Sequence, residues 1–255
     1  MENAEFEQAE RATRRGKASF WLALLLMLGV CLYAIWRSAL FRLDRVQIIG
    51  NERLSQADIM EVAGLAPGQL RWEIPAEQVA KRLEAEPWIR EAKVTWKGNR
   101  LLIDLTEREP VGLLQYTGQF YLLLDDQGVI LGQQRLDPQK PLPVITGLSV
   151  SRALRGQQLP HAGLLDALTL LAWTAEPLRA EISEVNLRAD RYLRVFMTGG
   201  TTVDWGVLPL EKQDQHIQTQ VSLFADYWED IPRAKRPGCQ VDLRIYGKVH
   251  GLGCE

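Results

Sequence analysis

Apolar and polar positions divide the chain into three regimes. Residues 18–36 carry no charge over nineteen positions. As a helix rising about 1.5 Å per residue, that run covers roughly 28 Å, one bilayer hydrocarbon core. The residues before it are polar and charged and read as a disordered tail. From about residue 41 onward, apolar positions recur with period two in some stretches and near 3.6 in others, the pattern of an α+β fold.

Phe41, Leu43, Val46, Ile48 and Ile49 predict a strand closed by the turn pair Gly50-Asn51. Ser55, with Asp58 three residues on, marks a helix start; Ile59, Val62 and Ala63 form its apolar stripe and Gly64 its end. Pro75 opens a second helix, in which Val79 and Leu83 share a face, and Pro87 stops it. Trp88, Ile89, Val94 and Trp96 form a strand. Gly98-Asn99 turns it, and Leu101, Ile103 and Leu105 alternate on the way back. The order is β-α-α-β-β over residues 41–110.

Residues 111–255 read as short strands interrupted by helices. Phe120–Leu124 and Val129–Leu131 flank the turn Asp125-Asp126-Gln127-Gly128, and Tyr192–Met197 and Thr202–Trp205 flank Gly199-Gly200. Leu164, Leu165, Leu168, Leu171 and Ala172 predict one helix face; Ile217, Val221, Phe224 and Trp228 predict another. Val241, Leu243 and Ile245 alternate, so a strand is expected near the C-terminus, loosened by Gly247, Gly251 and Gly253. A strand in that position is expected at a sheet edge, with main-chain groups free to pair with another chain.

The uncharged run is longer than the apolar core of a cleaved signal peptide. It ends at Trp36-Arg37-Ser38-Ala39-Leu40 without a small-x-small site, and Val30 precedes Cys31 where a lipidation signal needs a small residue. A retained span over residues 18–40 is therefore expected, with a tail over 1–17. Arg11, Arg14, Arg15 and Lys17 precede it and Arg37, Arg42 and Arg45 follow, a slight bias toward a cytoplasmic N-terminus. A short tail that stays inside, with the long part translocated, points the same way. Trp21, Tyr33 and Trp36 suit the two interfaces.

A net charge of −2 makes no case for nucleic acid. Of the three cysteines, Cys31 lies in the span; Cys239 and Cys254 would share the oxidising side, where they could bridge or stay as thiols. No HEXXH, GXSXG, phosphate-loop or CXXC pattern occurs. His161, His216 and His250 fall in different predicted elements, so they read as surface or loop residues rather than metal ligands. Asp125-Asp126 reads as a turn, Asp204 as a solvated strand charge, and the eight tryptophans as core and membrane-boundary residues. Neither an enzyme nor a cofactor is expected. A membrane-anchored sensor and an anchored cell-wall enzyme are the alternatives. The first lacks a folded tail, and the second a nucleophile or metal cluster.

Three segments of the first unit carry a family resemblance: Phe41 to Ser55, Glu86 to Trp96, and Leu101 to Gly112. With their order they resemble a POTRA domain. A POTRA domain directly after one span resembles the bacterial cell-division family FtsQ/DivIB. The likeness continues through Phe120–Leu131, Leu142–Gly147, Ile182–Leu187, Tyr192–Gly206 and Val241–Arg244. It implies a non-enzymatic bitopic scaffold of the divisome, with a POTRA domain at 41–110 and a mixed β domain with packed helices at 111–255. It implies that the second domain binds FtsB, accompanied by FtsL, by β-augmentation at the C-terminal edge strand, and that the POTRA domain helps recruit proteins such as FtsK. By position, Arg244 and Arg191 match family arginines at that surface, Ile245 or Tyr246 stands for an aromatic contact, Gly247 joins the partner-binding set, and Val249 and Leu252 would lie on the final strand and line the partner groove.

Overall fold

The computed structural model describes residues 21, 24–31, 33, 42–139, 141–188, 191–207 and 213–254. The expected span at 18–40 lies largely outside them, as do the tail and Phe41. Residues 24–31 are helical, with Leu24 to Leu28 exposed. Among the described residues no helix is long and apolar enough to cross a membrane. The chain divides into two compact units: Met1–Leu83 with Ala92–Leu105, and Glu84–Glu91 with Thr106–Glu255.

The first unit has the order β1 (Arg45–Ile49), α1 (Gln56–Ala63), α2 (Ala76–Glu84), β2 (Ile89–Lys97) and β3 (Arg100–Glu107). Ser55 Oγ accepts from the Asp58 amide and the Asp58 carboxylate accepts from the Ser55 amide, so both ends of the predicted capping box are made. Gly64 closes α1 with φ of 67°. The sheet order is β1-β3-β2, with β1 parallel to β3. Leu101, Ile103 and Leu105 of β3 are buried, as are Ile59, Ala63, Val79 and Leu83 of the helices. The Leu101–Thr106 stretch is therefore part of the sheet: β3 is the central strand, and β1 and β2 are the edges.

The second unit is built on a nine-stranded sheet. Its strands are β4 (Gly112–Thr117), β5 (Phe120–Leu124), β6 (Ile130–Gln134), β7 (Val144–Thr146), β8 (Ile182–Arg188), β9 (Tyr192–Met197), β10 (Thr202–Val207), β11 (Gln240–Asp242) and β12 (His250–Leu252). They are ordered β12-β11-β10-β9-β8-β7-β4-β5-β6. Helices α3 (Ala162–Trp173) and α4 (Gln213–Asp230) share one core with the strand residues that alternate toward them, such as Leu193, Val195, Val203, Trp205 and Val241. Ile217, Val221, Phe224 and Trp228 of α4 are all buried, as their spacing predicts. The face of α3 is broader than predicted: Asp166, Ala167 and Leu170 are buried beside Leu164, Leu168 and Leu171, whereas Leu165 is half-buried and Ala172 exposed. A carboxylate survives there because Arg191 grips it, with Nε and Nη2 donating to the two Asp166 oxygens at 2.7 and 3.0 Å.

The Asp125 turn is also confirmed, and it does more than turn. The Asp125 side chain is fully buried, accepts from the Gln127 and Val129 amides at 3.0 and 2.8 Å, and takes a 2.6 Å bond from Arg108 Nη1. Arg90 pairs with the adjacent Asp126.

Candidate functional site

Alternation along β9 to β11 buries Leu193, Val195, Val203 and Val241 under the helices. It leaves Tyr192, Arg194, Asp204 and Asp242 on the opposite, more open face. Strand register lines these up in one row: Asn186, Arg194, Asp204, Asp242 and His250, on β8 through β12. Two neighbouring carboxylates in a row would repel. Here guanidinium groups hold each of them. Arg194 Nε and Nη2 donate to the Asp204 oxygens at 2.6 and 3.0 Å, with the Tyr192 hydroxyl at 3.1 Å from Oδ1. Arg244 Nε and Nη2 donate to Asp242 at 2.9 to 2.5 Å. Asp204 therefore lies on the more open face, as expected, and is also the centre of a network.

These contacts move the ionisations. Hydrogen bonds from Arg244 lower the Asp242 carboxyl to about 2, with burial opposing. The Arg244 and Arg194 guanidiniums are held more firmly protonated by Asp242 and Asp204 respectively. Burial, then the bond to Asp204, raises the Tyr192 phenol. The stem of Arg244 crosses β10 at Gly206, where φ is 82° at a register shift and a Cβ would lie 3.1 Å from Arg244 Cγ.

The single C-terminal strand expected through Ile245 is instead a hairpin. β11 ends at Asp242, Leu243 stays buried, and Ile245 is 54% exposed. The chain turns through Tyr246 and Gly247 and returns as β12, antiparallel to β11. The turn comes about because α4 supplies a polar anchor. Gln220, 1% exposed, donates from Nε2 to the Leu243 carbonyl at 2.7 Å and accepts the Gly247 amide at 3.1 Å. A disulfide between Cys239 and Cys254, Cα atoms 4.9 Å apart, closes the far end. Between these fasteners Gly251 lies against Tyr227 of α4, so closely that a Cβ there would overlap the phenol oxygen. The C-terminal edge is thus β12, not the Val241 strand, which lies between β10 and β12.

Of the expected surface residues, Arg244, Ile245, Tyr246 and Gly247 share the turn, with Val249 half-buried beside it and Leu252 67% exposed on β12. Arg191 is not brought to them; its guanidinium faces α3 and holds Asp166. Sequence reading missed Gln220, Tyr227 and Arg194. Polar residues at positions 220 and 227 of an apolar helix stripe were the available signal. Elsewhere, His161 serves as the α3 cap, its Nδ1 accepting the Leu164 amide at 3.2 Å.

Two family models match the chain: POTRA domain, FtsQ-type, over residues 41–108, and cell division protein FtsQ/DivIB, C-terminal, over residues 112–244. The second alone covers more than half of the sequence. The chain belongs to the FtsQ/DivIB family. It is similar to cell division protein FtsQ of Rhodothermus marinus, 29% identical over 243 residues, covering 89% of this chain and 85% of that protein. It is likewise similar to DivIB of Listeria monocytogenes, 24% identical, with 83% and 78% covered. FtsQ of Syntrophotalea carbinolica is 28% identical over 138 residues, 54% of this chain. The match spans only 48% of that relative, and 57% of FtsQ from Myxococcus fulvus. The FtsQ/DivIB C-terminal match stops at Arg244, so the turn and β12 follow the matched region.

Proposed function

We propose that this FtsQ/DivIB protein is a non-enzymatic scaffold of the bacterial divisome. In this reading residues 18–40 span the inner membrane, residues 1–17 form a cytoplasmic tail, and the POTRA domain (41–110) and β domain (111–255) lie on the extracytoplasmic side at the septum. The β domain binds FtsB, accompanied by FtsL, by adding a strand to β12. The POTRA domain helps recruit upstream proteins such as FtsK.

One observation carries the docking assignment. Among the described residues β12 ends the nine-stranded sheet with one side lacking a strand neighbour, and Arg244, Ile245, Tyr246 and Leu252 stand exposed around it. Main-chain bonds along such an edge supply affinity, and flanking side chains supply selectivity. Arg244 keeps donors beyond those used on Asp242 and can grip a partner carboxylate as well. Arg191 acts indirectly, by holding α3 to the start of β9 through Asp166. The test is Arg244→Glu in the full-length protein, with FtsB–FtsL affinity measured in detergent or nanodiscs. At least a tenfold loss, on the order of 1.4 kcal/mol, is expected from the reversed charge. Unchanged affinity would remove Arg244 from the interface.

A further inference from the structure

At the end of the first unit where β1 begins, unrelated stretches of chain converge. Arg42 bridges Leu70, the Leu43 amide donates to the Gln69 carbonyl, and the Asp44 amide donates to the Asn99 carbonyl. Arg45 is in register with Arg100. Arg71 reaches the Gly98 carbonyl of the β2–β3 turn and stacks on Trp96, 5.3 Å from the ring centroid. The result is a surface that carries Arg45, Arg71, Lys97 and Arg100, all exposed, with Trp72 46% exposed and Trp96 half-buried. An open groove runs between the two indoles over Ile74 and Pro75. Among the described residues, Asp44 lies 3.8 Å from Arg45, Glu73 is used on the Leu70 amide, and Glu77 of α2 pairs with Lys81. Cations are in excess.

We infer that this aromatic and basic end of the POTRA domain is a lipid-contact surface that seats the domain on the anionic headgroups of the bilayer. The inference rests on the proposed span at 18–40. Arg42 is six residues past Trp36, so the chain can carry it at most about 21 Å from the end of the uncharged run. The converging end of β1 is thus held within reach of the headgroup layer by chain length alone. Its chemistry matches that layer: indoles favour the interface, and arginine and lysine place apolar stems low with charges among phosphates. A peptide groove would also use tryptophan and proline, but it gives no role to four surrounding cations on the membrane-proximal end.

The full-length protein with Trp72→p-benzoylphenylalanine is reconstituted in nanodiscs of equal phosphatidylethanolamine and phosphatidylglycerol and irradiated. A lipid adduct at position 72 is expected by mass spectrometry. It should fall roughly fivefold when Arg71→Glu and Lys97→Glu are combined, and similarly in phosphatidylcholine discs. An inserted protein without the adduct overturns the seating while leaving the span intact. An adduct to polypeptide only, in native membranes, makes the patch a protein interface and also overturns it. A chain extracted from the discs at high pH removes the span, and this inference with it. Far-ultraviolet circular dichroism matching the parent chain confirms that each variant is folded.

Discussion

Replacing Gln220 with Leu removes the polar anchor of the proposed docking edge while keeping a buried side chain of similar size. Two main-chain groups lose their partner. The Leu243 carbonyl belongs to a buried residue and cannot readily reach water, a loss of about 1–3 kcal/mol; the Gly247 amide is at an exposed residue and rehydrates, so its net loss is about 0.5–1.5 kcal/mol. The sum is roughly 1.5–4.5 kcal/mol, concentrated in the turn that joins β11 to β12. Hydrogen exchange reads this directly. Amides of the β11–β12 hairpin are expected to exchange about 10- to 2000-fold faster, while Val195 and Val203, in the central strands, change little. The Cys239–Cys254 bridge holds the hairpin's other end, so the edge loosens without being lost. Affinity for FtsB–FtsL is expected to fall in parallel. Unaltered exchange at Gly247, or an equal change at Val195, would show that Gln220 does not act as a local clamp.

Three further outcomes follow from named contacts. Gly251→Ala places a methyl group in the Tyr227 hydroxyl and is expected to weaken partner binding, and adding Tyr227→Ala is expected to restore it; a double variant as weak as the single one argues against this contact. Arg108→Ala leaves the fully buried Asp125 carboxylate with two amides and a distant Arg90, so a loss of about 3 kcal/mol is expected in urea denaturation, and less than about 1 kcal/mol contradicts the pairing. The Asp242 carboxyl, depressed from 3.8 to about 2 by Arg244, keeps the pair's full contribution above its ordinary value and loses it as pH falls through about 2. Carboxyl NMR should show that midpoint, moving up toward 3.8 in Arg244→Gln; a wild-type midpoint already near 3.8 would break the assignment.

Local patterns reached the structure where the cause was local. The Ser55–Asp58 box, the Gly64 cap, the Asp125 turn and the buried α4 stripe each depend on residues within four positions of one another, and spacing alone reveals them. The order of these pieces was enough to identify the family. Three features had no local signature. Leu243 and Ile245 alternate as a strand would, yet Gln220, more than twenty residues earlier, captures the main chain between them and turns it. Arg191 resembles a surface arginine until α3 delivers Asp166 to it. Asp125 looks like an ordinary turn acid until Arg108 arrives across the fold. The sequence by itself determined the elements and their succession, because helix periods, strand alternation and caps are set by neighbours along the chain. Which strand became the edge, and which arginine stayed outside, was decided only by tertiary structure. A buried carbonyl or carboxylate takes whichever distant partner the packed fold brings within bonding reach.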